Sequence, residues 1–191
     1  MSLEQKRSLF VELLKDEDET VRASAAQALE RLESFRSLSQ IVEDIKSDKR
    51  GRRIAAIFAM EHVRSPDIFP HLIDLLKDPD ADVRVAAVQV LGNKAHPKSL
   101  NSLVKHLKDP SAAVREFTAE ALGNFEDARL APYLVALLGD DDDQLVVSAT
   151  RSLGKIGSPD SLVPLGKLTK DSRASVRAAA IEALSELPLK E

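Results

Sequence analysis

Apolar residues in this chain recur with helical spacing, and the whole pattern recurs every 31 residues. In PDIFPHLIDLLK, residues 66–77, Ile68, Phe69, Leu72, Ile73, Leu75 and Leu76 fall on one helical stripe. A polar turn, DPDA, follows, and a second periodic run, DVRVAAVQVLG, ends at Gly92. Each copy therefore predicts two helices. Ser65 before Pro66 is an N-cap followed by proline at the first helical position. The same column holds Ser34, His96, Asp127 and Ser158, of which only the histidine is a poor cap. Asp80 caps the second helix, and Gly92, Gly123 and Gly154 read as its C-terminal stop. Pro70 and Pro132 share a column and predict an early bend in the first helices.

Polar columns keep the same register. One reads Arg22, Arg53, Arg84, Arg115, Val146, Arg177, and six residues earlier stand Asp16, Ser47, Asp78, Asp109, Asp140, Asp171. Six copies follow without insertion, at about residues 3–33, 34–64, 65–95, 96–126, 127–157 and 158–188. A two-helix unit cannot bury its apolar stripe alone, so the copies must stack, and residues 1–191 read as a single domain. Alanine columns on the second helices favour their close approach and predict an array curving with these helices on its concave side. Arg7 breaks an apolar column at one end and Pro188 closes the other, so both ends read as capped.

The skeleton L-L-x-D-x-x-x-x-V-R-x-x-A-A-x-A-L-G resembles HEAT repeats, of the short 31-residue type named after phycobilisome lyase subunits, over about residues 7–185. The resemblance implies an all-α fold, a right-handed α-α superhelix (α-solenoid) of six two-helix HEAT-like repeats. It also implies that Asp16, Asp78, Asp109, Asp140 and Asp171 form a ladder with Arg22, Arg53, Arg84, Arg115 and Arg177 across successive turns. Ser47 and Val146 depart from the pattern, so the ladder is expected to weaken at the second and fifth copies.

Composition narrows the chemistry. Net charge is −4, which gives no long-range attraction to nucleic acid or anionic membrane. No cysteine is present, which removes thiolate catalysis and thiolate metal sites. No signal peptide and no run of about 18 apolar residues is seen, so a cytoplasmic, membrane-free protein is expected. Some proteins with this repeat, the deoxyhypusine hydroxylases, hold iron with His-Glu dipeptides, and this chain has none. His62, His71, His96 and His106 occupy four different columns, and no two stand at ligand spacing on one helix. No metal and no cofactor is therefore expected, and the histidines read as ordinary surface residues. Asp140–Asp143 reads as a solvated turn.

Functional information is expected where the repeat constrains least. One and five residues past the arginine, the second helices carry Ala23, Ile54, Val85, Glu116, Val147, Ala178 and Gln27, Phe58, Gln89, Glu120, Arg151, Glu182. Phe58 stands alone in a polar column and Phe117 in a small-residue column. Each either faces a partner or folds onto an adjacent copy. The second copy also replaces the usual acidic turn with SDKRGRR, placing Lys49, Arg50 and Arg52 at a helix N-terminus that disfavours cations. That stretch is either a docking feature or a tolerated irregularity. Arg50, Arg52, Ile54, Phe58, Val85, Gln89, Phe117, Glu120, Val147 and Arg151 are the candidate contacts. The expected function is a non-catalytic scaffold, monomeric or weakly self-associating, that binds a protein or peptide on its concave face. The alternatives are a bilin-lyase-type enzyme or enzyme subunit and nucleic-acid binding through the basic turn.

Overall fold

Helix after helix forms where the two periodic runs of each copy predict it, and no strand occurs among the described residues. The computed structural model describes residues 1–188, apart from the side chains of residues 34–37. The architecture is an α-solenoid, and the chain divides into two compact units, Met1–Ile68 and Phe69–Glu191.

The first unit contains α1 (Leu3–Leu13), α2 (Glu19–Asp44) and α3 (Arg50–Glu61), with α1 and α3 both packed on α2. A reciprocal capping box between Ser2 and Gln5 opens α1. Arg7 reaches Glu33 at 2.7 Å, so the residue that breaks the apolar column ties α1 to α2. The backbone stays helical across residues 33–34, where the repeat register places a turn. The expected capping side chain, Ser34, lies outside the described residues. The cause of the fusion is local. Here the chain reads Ser34-Phe35, where three later copies have proline after the cap, and residues 28–33 are strong helix formers.

The second unit contains α4 (Ile68–Leu75), α5 (Ala81–Lys94), α6 (Pro97–His106), α7 (Ala112–Gly123), α8 (Ala131–Val135), α9 (Asp143–Ile156), α10 (Leu162–Leu168) and α11 (Ala174–Glu186). Second helices α5, α7, α9 and α11 pack in series, and α6, α8 and α10 each lie against the second helix of their own copy. Short 3-10 turns at Ala128–Leu130 and Pro159–Ser161 precede α8 and α10. Proline close behind each turn, Pro132 and Pro164, lacks an amide proton, so the α-helix starts afresh there. His96 is a working cap, its Nδ1 accepting from the Lys98 amide at 3.2 Å. His106 is also structural, its ring nitrogens 2.7 and 2.9 Å from the Ser102 and Leu76 carbonyl oxygens.

Gly92 and Gly154 lie inside their helices and are not the stops, whereas α7 does end at Gly123. A Cβ on Gly92 would lie 2.5 Å from the Ala121 Cβ, one on Gly123 2.7 Å from Ser152 Oγ, and one on Gly154 2.8 Å from the Ala183 Cα. These glycines let successive second helices touch backbone to side chain. Left-handed residues lie three positions further on, at Ala95 (φ 44°), Glu126 (φ 50°) and Gly157 (φ 65°).

The arginine column closes the turns by a route that the Asp-Arg pattern does not spell out. Nη1 of Arg22, Arg53, Arg84, Arg115 and Arg177 donates to two backbone carbonyls, six and five residues earlier. The aspartates Asp16, Asp78, Asp109, Asp140 and Asp171 instead accept the amide two residues on. A rung between copies runs from Arg84 to Asp109, two bonds of 2.8 and 2.9 Å in a largely buried setting. Burial pushes the Asp109 carboxyl up, but the Arg84 hydrogen bonds, the Ser111 amide and nearby cations outweigh it and hold it below the ordinary value.

At the fifth copy, where Val146 is buried and has no guanidinium, Arg173 takes over. It reaches the Asp140 carbonyl at 3.0 Å and both carboxylate oxygens of Asp171 at 2.9 and 3.0 Å. Those are the partners an arginine at position 146 would have by the pattern of Arg84. The expected weakening is thus offset by a residue from the next turn. Its hydrogen bonds hold the Asp171 carboxyl at about 2. The acidic run 140–143 is likewise not merely solvated: Asp140 and Asp142 accept backbone amides, and Asp143 meets Arg173 at 3.2 Å.

Two outcomes follow for urea melts. Gly123→Ala raises helix propensity yet loses about 1–3 kcal/mol through overpacking, whereas Gly51→Ala, with no atom within 4 Å of the new Cβ, does not destabilise. Asp109→Ala loses about 2 kcal/mol at neutral pH by leaving Arg84 without its carboxylate. Because the folded carboxyl lies below its ordinary 3.8, that stabilisation is present above this value and lost as pH falls below it, so mutant and wild type converge in acid.

Candidate partner-binding face

In the first unit the face is carried by α2 and α3. Ala23, Ser24 and Gln27 of α2 are exposed small or polar residues. On α3, Ile54 is half-buried, and Phe58, one turn later, is 41% exposed. A helical spacing of four puts these side chains next to each other, so together they present apolar surface.

The start of α3 is electrostatically unusual. Lys49 occupies the N-cap position and makes no capping hydrogen bond, whereas Asp18, Asp80 and Asp142 cap α2, α5 and α9 through their carboxylates. Lys49, Arg50 and Arg52 are exposed. Arg52 is held by Asp44 at 2.7 Å, and Arg53 is drawn down onto the Ser47 and Asp48 carbonyls. Arg52 is therefore already paired within the unit.

The second unit presents a different surface. Val85, Gln89 and Phe117 are half-buried, and Val147 is buried at 7% exposure. Val147 thus belongs to the core and not to an open apolar strip, because its position packs within the series α7, α9, α11. What remains toward solvent is mainly acidic. Glu116 is pushed up from the ordinary glutamate value by burial first, then by the charges of Asp142 and Glu120. Arg151 lies 3.6 Å from Glu182 on the exposed side of α9 and α11.

Among the described residues no three His, Cys, Asp or Glu side chains are grouped as a metal site requires, and no helix is long and apolar enough to cross a membrane. The residue that pattern reading missed is Arg173. Its signal was available: an arginine stands in the N-cap column where Asp18, Asp80, Ser111 and Asp142 stand in other copies.

Comparison with known proteins places this geometry. A family profile described as HEAT repeats matches residues 69–153, and one described as HEAT repeat matches residues 7–36. No curated protein sequence matches the chain. Among solved structures, a chain of the complex of CpcE and CpcF of phycocyanin lyase from Nostoc sp. PCC7120 superposes with TM-score 0.69 at 23% identity. The match covers 78% of this chain but only 64% of that one. A designed armadillo repeat protein is similar with TM-score 0.59 at 19% identity, covering 94% of this chain and 99% of that one. Another, solved in complex with the peptide (KR)4, gives TM-score 0.57 at 20% identity over 94% and 98%. At these identities the likeness is one of fold.

The burial of Glu116, with the acidic charges beside it, has a measurable consequence. Its folded pKa is raised, so the ionised carboxylate costs stability once pH climbs through that value. Glu116→Gln therefore raises the Tm at neutral pH and leaves it unchanged in acid below 4.5, the ordinary glutamate value, in paired thermal melts.

Proposed function

Because this chain belongs to the HEAT-repeat family, we propose that it is a non-catalytic scaffold that binds a partner protein segment on the face of its second helices. The observation that carries this reading is Phe58: a large apolar side chain, 41% exposed beside Ile54, in a column whose other members are all polar. Aromatic anchors dominate binding interfaces, and Phe58 beside Ile54 offers one. Lys49, Arg50 and Arg52 at the start of the same helix define the complementary chemistry. The favoured partner is an acidic segment carrying an apolar anchor, steered by charge and held by Phe58. The pairing of Arg52 with Asp44 leaves this intact, because an exposed ion pair is worth about 1 kcal/mol or less and exchanges readily.

A photo-crosslinking residue at position 58 tests the reading in lysate of the source cell. Crosslinks to one discrete protein, competed by wild type but not by Phe58→Glu/Arg52→Glu, are expected, with capture weakening as salt rises. A circular dichroism melt checks that the double variant is folded. Identical crosslinks in the presence of either competitor would remove Phe58 and the basic turn from the binding face.

A further inference from the structure

The repeat provides its own control for an open cleft. Between the third and fourth copies, Phe69 stacks on His96 with ring centroids 4.1 Å apart and planes at 29°, and Phe69 is buried. Thirty-one residues later the same two positions hold Leu100 and Asp127. No stack forms there, and a cleft of about 430 Å³ opens between the fourth and fifth copies. The two columns recur in the first unit as Leu38 and Ser65, and these line a cleft of about 420 Å³. Two junctions that lack the aromatic pair thus carry an open cleft, whereas at the next one the same columns hold Ala131 and Ser158, and both are buried.

The cleft beside Leu100 has a mixed lining, with two aromatic side chains among polar ones. Phe125 and Tyr133 supply aromatic walls, the first half-buried and the second 50% exposed. Asn101 offers an amide. Arg129 lies against Asp127 at 2.6 Å, so the charges at the rim cancel and leave little attraction for a simple ion. The volume falls in the range of small-ligand sites.

We propose that this cleft is a binding slot for a planar aromatic group, seated where the Phe69–His96 pair sits one copy earlier. Phe125 and Tyr133 meet the ring by stacking or edge contact. The Asp127 carboxylate accepts a hydrogen bond from a ring N–H or O–H. The slot is built on first helices and the loops before them, and it does not depend on the binding face described above.

The test is an NMR titration of the full chain with indole, and in a parallel arm with N-acetyl-tryptophanamide. Saturable shifts at Leu100, Asn101, Leu130 and Tyr133 are expected. Leu100→Phe/Asp127→His rebuilds the neighbouring stack, and it should weaken indole binding at these residues by about tenfold or more while raising the Tm. The reverse variant, Phe69→Leu/His96→Asp, should open the preceding junction and add indole-induced shifts there. Binding of indole alone identifies a free aromatic ligand, and binding in both arms identifies a ring that a peptide can present. Absence of saturable shifts at these residues, or shifts of equal affinity in the filled variant, would overturn the proposal.

Discussion

Between the paired helices of each copy, the chain turns through carbonyl groups that no helix can satisfy. An arginine six residues after the turn begins supplies the protons, with one nitrogen spanning two successive carbonyls. This leaves the other edge of the guanidinium available for the next copy, as in the bond from Arg84 to Asp109. Arg84 thus closes its own turn and fixes the position of the following one. Asp109 serves twice as well, accepting the Ser111 amide that shapes its turn and the Arg84 guanidinium. Arg173 shows that this constraint belongs to the geometry and not to the column. With Val146 in the core, a guanidinium from a different position reaches the same carbonyl and carboxylate.

A second constraint is the separation of the second helices. Gly92, Gly123 and Gly154 each stand where the neighbouring helix leaves no room for a Cβ. Contact this close fixes how copies stack, and it buries positions such as Val147 that a single helix would leave open. Columns outside these contacts are free to vary. Phe58, the acidic group around Glu116, and the Leu100–Asp127 gap all lie in them. Sites of proposed function therefore arise where turn closure and helix approach make no demand on the side chain.

Much of the architecture was legible in the chain itself. The period of 31 residues, the two-helix copy and the turn positions follow from residue type and spacing, whereas the exposure of Phe58, open between two alternatives in the sequence, came from the structure. Even the fusion of two expected helices into α2 has a local cause, the lack of proline after Ser34 and the strong helix formers before it. These features are readable because helix propensity, capping and amphipathic spacing act within about one turn of chain.

What only the tertiary structure decided concerns residues about one copy apart. The role of the glycines, the burial of Val147, the substitution of Arg173 for a missing arginine and the clefts beside Leu38 and Leu100 all depend on distances between copies. Sequence register names the residues that face each other there but not the space between them. That space is set by how closely the helices pack, and a single methyl group or ring is enough to close it.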